Sequence, residues 1–232
     1  MYPSSKPTQS SVTVADISDL NAAAAGMELL SQDAVALTSR PLRARRVIVR
    51  LSTAAVVYHR TNLMVRTRTT VGEGLLAFAV FGPRATGTVE GLQVHPGTMV
   101  VAAPGTEVGF VSDPGWESIA LLLPPGKLLA QLADRQRQGE WRWPGRVDVL
   151  DSDPARARAL FRWGKRLTGT ASARPSLFDT GHAVREIAQA EMLEALLAAM
   201  RSADIAAPAR TEKTHQAYSR IVKAAERHVL AS

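Results

Sequence analysis

The sequence of 232 residues contains no cysteine. This absence excludes disulfide frameworks, thiol nucleophiles, iron–sulfur clusters and zinc sites built from cysteine. Long apolar runs are missing as well: the longest uncharged apolar stretches, 74–82 and 118–126, are far shorter than the roughly 18 residues of a membrane-spanning helix. The polar N-terminus also lacks the apolar segment of a signal peptide. We therefore expect a cytoplasmic protein with no membrane partner.

Acidic residues are missing over one stretch, which makes that part of the sequence strongly basic. No Asp or Glu occurs between Asp33 and Glu73, whereas eight arginines do: Arg40, Arg43, Arg45, Arg46, Arg50, Arg60, Arg66 and Arg68. One interpretation is a direct nucleic-acid-binding surface. The scarcity of aromatic residues here argues against base stacking, and the alternation of side chains over 63–68 favours strands. We therefore interpret the arginines as a solvent-facing side of strands and keep nucleic-acid binding as the weaker alternative.

The reactive side chains form no recognisable catalytic pattern. No two of the histidines stand two, three or four residues apart, as a metal site on one strand or helix face would need; they are His59, His95, His182, His215 and His228. The sequence also lacks a nucleophile elbow around serine. We predict no catalytic residues, no metal and no cofactor, and therefore that the protein is not an enzyme.

One glycine motif matches a cofactor pattern only superficially. Gly72, Gly74 and Ala77 fit the spacing of a dinucleotide-binding loop, which needs a buried strand before it and a helix after it. The preceding segment is polar, and Gly82-Pro83 ends the following one too early for a helix. The motif is therefore predicted to be a turn between two strands.

The pattern of the sequence changes near residue 124. Before this point, valine-rich segments of strand length are separated by Gly-Pro and Pro-Gly turns; after it, apolar residues recur with helical spacing. This order predicts an α+β protein, a small antiparallel β-barrel followed by helices. Asp153-Pro154 is predicted to begin one helix. A long helix over 177–202 carries a wide apolar stripe, and an amphipathic helix is expected over 218–229.

Three segments together resemble the AraC/XylS-type transcription regulators. Residues 90–110, EGLQVHPGTMVVAAPGTEVGF, resemble the barrel of the family's regulatory domain, with a hairpin, a Pro-Gly turn, a strand and a second Pro-Gly turn. This pattern is shared with cupin-like barrels in general. Residues 115–124 resemble the strand and proline that lead into the family's helical part, and 220–230 resemble the first helix of its DNA-binding domain. The resemblance extends over residues 40–232.

The resemblance implies a division of the chain into four parts. Residues 1–39 are an N-terminal tail and lead-in segment, 40–123 a cupin-like β-barrel sensor domain, and 124–203 a helical dimerisation segment. Residues 204–232 are a linker and the first helix of a truncated DNA-binding domain. The expected partners are a second copy of the chain, a small-molecule effector, and promoter DNA only through the absent remainder of the C-terminal domain. The alternative function is a cupin-like small-molecule enzyme, which would hold a metal.

Within the regulator interpretation, the interior of the barrel is the natural effector site. Tyr58, His59, Arg66 and Trp116 are the predicted ligand contacts, since each offers a polar or aromatic surface, and Arg66 could pair with a carboxylate. Each of the four, taken alone, also fits a purely structural role.

Overall fold

The computed structural model describes residues 10–19, 29–135, 144–201 and 204–205, together with positions 221 and 224. Within these residues the strands are β1 (Val12–Ile17), β2 (Leu30–Ala36), β3 (Ala44–Arg50), β4 (Ala55–Thr61), β5 (Val65–Val71), β6 (Leu76–Phe81), β7 (Gly87–Val89), β8 (Leu92–Gln93), β9 (Thr98–Ala102), β10 (Glu107–Ser112), β11 (Trp116–Leu123), β12 (Val147–Asp151) and β13 (Asp204–Ile205). The helices are α1 (Pro125–Asp134), α2 (Pro154–Ala173), α3 (Ser176–Asp179) and α4 (His182–Met200).

The strands form two sheets in which every described pairing is antiparallel. The larger sheet has the order β1-β3-β4-β11-β6-β9-β12-β13, and the smaller one has the order β2-β5-β10-β7-β8. Apolar side chains from both sheets meet in one buried cluster, so the sheets face each other as a flattened barrel. The predicted α+β class, a small antiparallel barrel with helices after it, is confirmed.

The other face of the larger sheet is covered by helices. A second buried cluster joins this face to side chains of α1, α2 and α4. The larger sheet is therefore covered on both faces, which explains why its strands are rich in valine and other apolar residues on both sides. In the described part of the chain, the helices are all too short or too polar to cross a membrane.

Helix α2 begins where the sequence predicts. The Asp153 carboxylate accepts hydrogen bonds from the backbone N–H groups of Ala155 at 2.7 Å and Arg156 at 3.0 Å, which satisfies two N–H groups that lack partners within the helix. The predicted turn at Gly72 and Gly74 is confirmed as well: it joins β5 to β6, and Gly74 has a φ of 77°.

The observed elements also differ from the expectations. Strands β1 and β2 lie in the expected tail and lead-in of residues 1–39, yet β1 pairs with β3 and β2 with β5. The sheets thus extend beyond 40–123 at both ends, since β12 also joins them. The long helix expected over 177–202 is two helices, α3 and α4. The helix expected over 218–229 lies outside the described residues, except for 221 and 224.

Helix α2 packs closely against the larger sheet at Gly164. A Cβ atom at this position would lie 2.7 Å from Cγ2 of Ile119, a fully buried residue of β11. Cγ2 belongs to a β-branched side chain that has little freedom to turn away. Gly164 therefore sets how closely the helix packs against the sheet.

This contact predicts different effects of the same substitution at two glycines of α2. Gly164→Ala is expected to unfold at lower urea concentration than Gly169→Ala, by about 1–3 kcal/mol of unfolding free energy, because overpacking costs that amount. A Cβ at Gly169 would meet nothing within 4 Å, so Gly169→Ala reports the gain in helix propensity alone. Equal midpoints in urea denaturation would contradict the close packing at Gly164.

Candidate functional site

A cavity of about 110 Å³ lies between the two sheets. Its floor on the larger sheet includes four alanines, Ala77, Ala79, Ala102 and Ala120. Their short side chains leave open the space that larger apolar residues would fill in an ordinary core. Since empty volume in a protein interior destabilises the folded state, a cavity retained at this place is a candidate binding site.

One wall of the cavity is aromatic. The rings of Phe81 and Trp116 have centroids 4.9 Å apart, and the Phe110 ring stands edge-on to Trp116 with a centroid distance of 6.4 Å. All three side chains line the cavity. Such flat, rigid surfaces bind apolar or aromatic groups with little loss of side-chain entropy.

Polar side chains form a row at one part of the same cavity. Arg46 on β3 lies opposite His59 on β4, and His59 lies opposite Ser118 on β11. Because paired residues of adjacent strands present their side chains on the same face of a sheet, all three point into the barrel, and all three line the cavity. Arg46 also donates from Nη2 to Oε1 of Gln32 on the opposing sheet.

Arg46 brings a positive charge into the interior. The residue is only 3% exposed, and burial lowers the pKa of its guanidinium to about 10. Arg46 therefore remains protonated at neutral pH. None of the lining residues of the cavity, as far as the chain is described, is Asp or Glu.

His59 is neutral at physiological pH. Burial, and secondly the charge of Arg46, lower the pKa of its imidazole to about 4. Its Nδ1 atom is buried and has no hydrogen-bond partner. Leaving a polar atom unpaired in this way costs about 1–3 kcal/mol. His59 therefore carries a polar atom without a partner beside a cavity, which makes this side chain a candidate contact for a ligand with a polar group.

A second polar cluster lies on the opposite face of the larger sheet. The Tyr58 hydroxyl donates to Oε1 of Glu117 at 2.7 Å, and the ammonium of Lys165 on α2 donates to both oxygens of this carboxylate at 2.7 and 2.8 Å. Burial first, and then the hydrogen bond to Glu117, raise the pKa of Tyr58. Burial by itself would raise the pKa of Glu117, but its hydrogen bonds from Lys165 and Tyr58 outweigh this and lower it. The cluster ties β4 and β11 to α2.

Two of the four predicted contact residues line the cavity and two do not. His59 and Trp116 are brought together at the cavity, whereas Tyr58 lies on the helix-covered face beside Glu117. Arg66 lies on the outer face of the smaller sheet, because its neighbours Val65 and Thr67 both line the cavity and successive residues of a strand point to opposite sides.

The sequence-based interpretation missed Arg46. Arg46 is one of the eight arginines that were expected to face solvent. It is buried instead, so the solvent-facing interpretation is wrong for this residue. The available signal was its position between Ala44 and Ile48, two apolar residues at period two, both of which are buried. A charged residue on the apolar face of a strand is a candidate for the interior.

The described residues do not bring three His, Cys, Asp or Glu side chains together as a metal ion would require.

Comparison with known proteins gives a similarity of fold. No protein-family model and no curated protein matches the sequence. The structure is similar to the crystal structure of the AraC-like transcriptional activator CuxR, with a TM-score of 0.53 and 14% sequence identity over 90% of this chain and 77% of that one. A mutant of the Bacillus subtilis oxalate decarboxylase OxdC matches with a TM-score of 0.28 and 13% identity, over 52% and 41% of the two chains. The likeness to CuxR shows that an AraC-like activator shares this fold.

The buried histidine predicts a pH dependence of stability. The unfolded state takes up a proton at a pKa near 6.5, whereas folded His59 does so only at about 4. Stability is therefore lost as pH falls through this window, by at most about 3 kcal/mol, since each tenfold change in proton affinity is worth about 1.4 kcal/mol. His59→Gln is expected to flatten the dependence of the urea midpoint on pH between 6.5 and 4.

His182→Gln serves as the control, because His182 is exposed at the start of α4. The control variant is expected to keep the wild-type dependence on pH. If His59→Gln and the wild type lost stability equally over this window, the buried neutral state of His59 would be refuted.

Proposed function

We propose that the chain is the ligand-sensing and dimerising regulatory region of a cytoplasmic, AraC-type DNA-binding transcription regulator. The observation that carries the proposal is the cavity inside the barrel, with its unsatisfied His59 Nδ1, in a fold that an AraC-like activator shares. The resemblance of residues 90–110, 115–124 and 220–230 to the family supports the same assignment.

A sensor has to pass the state of its binding site to another part of the molecule, and β11 offers a direct route. Trp116 and Ser118 line the cavity. Glu117, which lies between them, binds Lys165 of α2. Ile119, which follows Ser118, packs against Gly164 of the same helix. A ligand that displaces β11 therefore acts on α2 through two contacts.

Dimerisation is proposed through the outer surface of α4. Most of its apolar stripe packs within the chain, since Ala188, Met192 and Leu196 are buried. Val184 and Ile187, one turn apart, are 38% and 61% exposed. A second copy of the chain, related by a twofold axis, would cover these side chains. The proposed interface is therefore narrower than the wide apolar stripe that the sequence predicts over 177–202.

In this proposal promoter DNA is contacted by the helix-turn-helix units of the family and not by the arginines between 40 and 68. Arg46 supports this distinction because it lies inside the barrel. Arg45 also has neighbours within the chain: it hydrogen bonds to Asp16 at 3.3 Å and to Ser172 at 2.9 Å.

The regulatory role predicts selective association with promoters. We expect crosslinking and immunoprecipitation of the chromosomally encoded, tagged protein to enrich a small set of promoter fragments. The absence of enriched promoters would contradict the proposal. Stoichiometric bound metal together with turnover of a small molecule by the purified protein would favour the alternative, a cupin-like enzyme.

The dimer predicts the effect of a charge on α4. Ile187→Glu is expected to raise the dissociation constant of the dimer at least about tenfold in analytical ultracentrifugation, because a buried carboxylate in an apolar contact lacks a partner. Promoter enrichment is expected to fall in parallel. Val35→Glu is the matched control, since Val35 is 55% exposed on β2, a strand of the smaller sheet, whereas α4 covers the far face of the larger sheet. An unchanged dissociation constant for Ile187→Glu, or a monomeric wild type, would refute this interface.

A further inference from the structure

We propose that the cavity binds a small organic anion, in which one carboxylate-type group lies at Arg46, His59 and Ser118 and an apolar ring or short chain lies against the aromatic wall. The inference rests on the proposed function insofar as this anion is the effector. It differs from the sequence-based expectation, in which Arg66 was the partner of a carboxylate.

The charge of the cavity supports an anion. Arg46 contributes a permanent positive charge, His59 is uncharged at neutral pH, and the described lining residues include no acidic side chain. The field of Arg46 also reaches His59, whose protonation it disfavours. Inside a protein such a field is screened far less than in water, so an anion that enters this space is stabilised and a cation is repelled.

The polar row supports a carboxylate-type group in particular. A carboxylate accepts hydrogen bonds at two oxygens and about four lone-pair positions. Arg46, His59 and Ser118 stand side by side on three consecutive strands. Their backbones span roughly 10 Å, twice the usual spacing of strands, with His59 in the middle. The imidazole of His59 has one nitrogen without a partner. A turn of the ring that brings this nitrogen to the cavity would let its protonated form donate a hydrogen bond to an oxygen of the ligand.

The remaining walls support an apolar body of limited size. Apart from the polar residues, the cavity is lined by Leu30, valines, alanines and the three aromatic side chains. A sugar would need a partner for each of its hydroxyl groups, and the apolar part of this lining supplies none. An engineered cavity of about 150 Å³ in another protein holds benzene. A space of about 110 Å³ is of the same order, so it suits one small ring or a short chain and is too small for a nucleotide.

The proposal predicts a preference between ligands that differ only in charge. The probes are benzoate against benzamide and hexanoate against hexanamide, added to the full chain at neutral pH in a buffer without carboxylates or phosphate. Isothermal titration calorimetry is expected to give at least tenfold tighter binding of the carboxylate in one or both pairs. This comparison uses the wild-type protein and does not depend on a variant that folds.

Two neighbouring arginines on β3 make a matched pair of variants. Arg46→Met is expected to remove the preference for the carboxylate, whereas Arg45→Met, the same change on the opposite face of the strand, is expected to retain it. Circular dichroism establishes that both variants are folded. His59→Gln is expected to weaken carboxylate binding by about threefold to tenfold, the equivalent of one hydrogen bond.

Each outcome decides a separate question. If the amides bind as tightly as the carboxylates, the proposal that the ligand is an anion is overturned. The proposed sensing function would then stand with a neutral ligand. Carboxylates that bind Arg46→Met unchanged would overturn the role of Arg46. No binding of any probe at millimolar concentration would overturn this inference as a whole. Promoter enrichment tests the regulatory function independently of all three results.

Discussion

Strand β11 has to satisfy two environments at once, and most of the structure depends on how it does so. It lies in the middle of the larger sheet, hydrogen bonded to β4 on one side and β6 on the other. Trp116, Ser118 and Ala120 face the cavity, while Ile119 and Leu121 enter the cluster beneath the helices. Both faces of this strand are covered by other parts of the chain. A substitution on the cavity side of the strand is therefore limited by the packing of the neighbouring residues on the helix-covered side.

The chemistry of the cavity follows from the register of β3, β4 and β11. The polar row exists because Arg46, His59 and Ser118 are aligned across the three strands. A slip of one residue in a strand moves all its side chains to the other face. For β4 the slip would bring Tyr58 into the cavity and place His59 beneath the helices. The buried apolar residues on either side of these polar ones, such as Val57 and Ile48, hold the strands in place.

The sequence predicted the strands of the barrel well but could not assign their faces. Tyr58 and His59 are adjacent, so only one can face the cavity; the preceding Val56 and Val57 are both apolar and both buried. A strand that is buried on both faces has no apolar–polar alternation from which to choose. The opposite difficulty affects β5, where Arg66 and Arg68 alternate with Thr67 and Thr69 and both sets are polar. Which set faces inward is decided by the opposing sheet, through contacts distant in sequence.

The first two strands illustrate another limit of prediction from sequence. In β1 and β2 apolar residues alternate with polar ones, but only the ends of β1 and the start of β2 are buried, so each segment alone has a weak signal. Their positions are determined by pairing with β3 and β5. By contrast, the start of α2 was predictable because Asp153 acts on N–H groups two and three residues away.

The contact at Gly164 has a mechanical consequence. Helix α2 extends from Pro154 to Ala173, and Gly164 stands at its middle. A helix behaves as a stiff rod over this length, and a force applied at the midpoint of a rod translates it, whereas a force at one end tilts it. A displacement of Ile119 would therefore carry both ends of α2 in the same direction, and the residues packed along the helix would move by a similar amount. Helix α4 lies against α2, so it would receive a sideways displacement along this contact, not a rotation about one end.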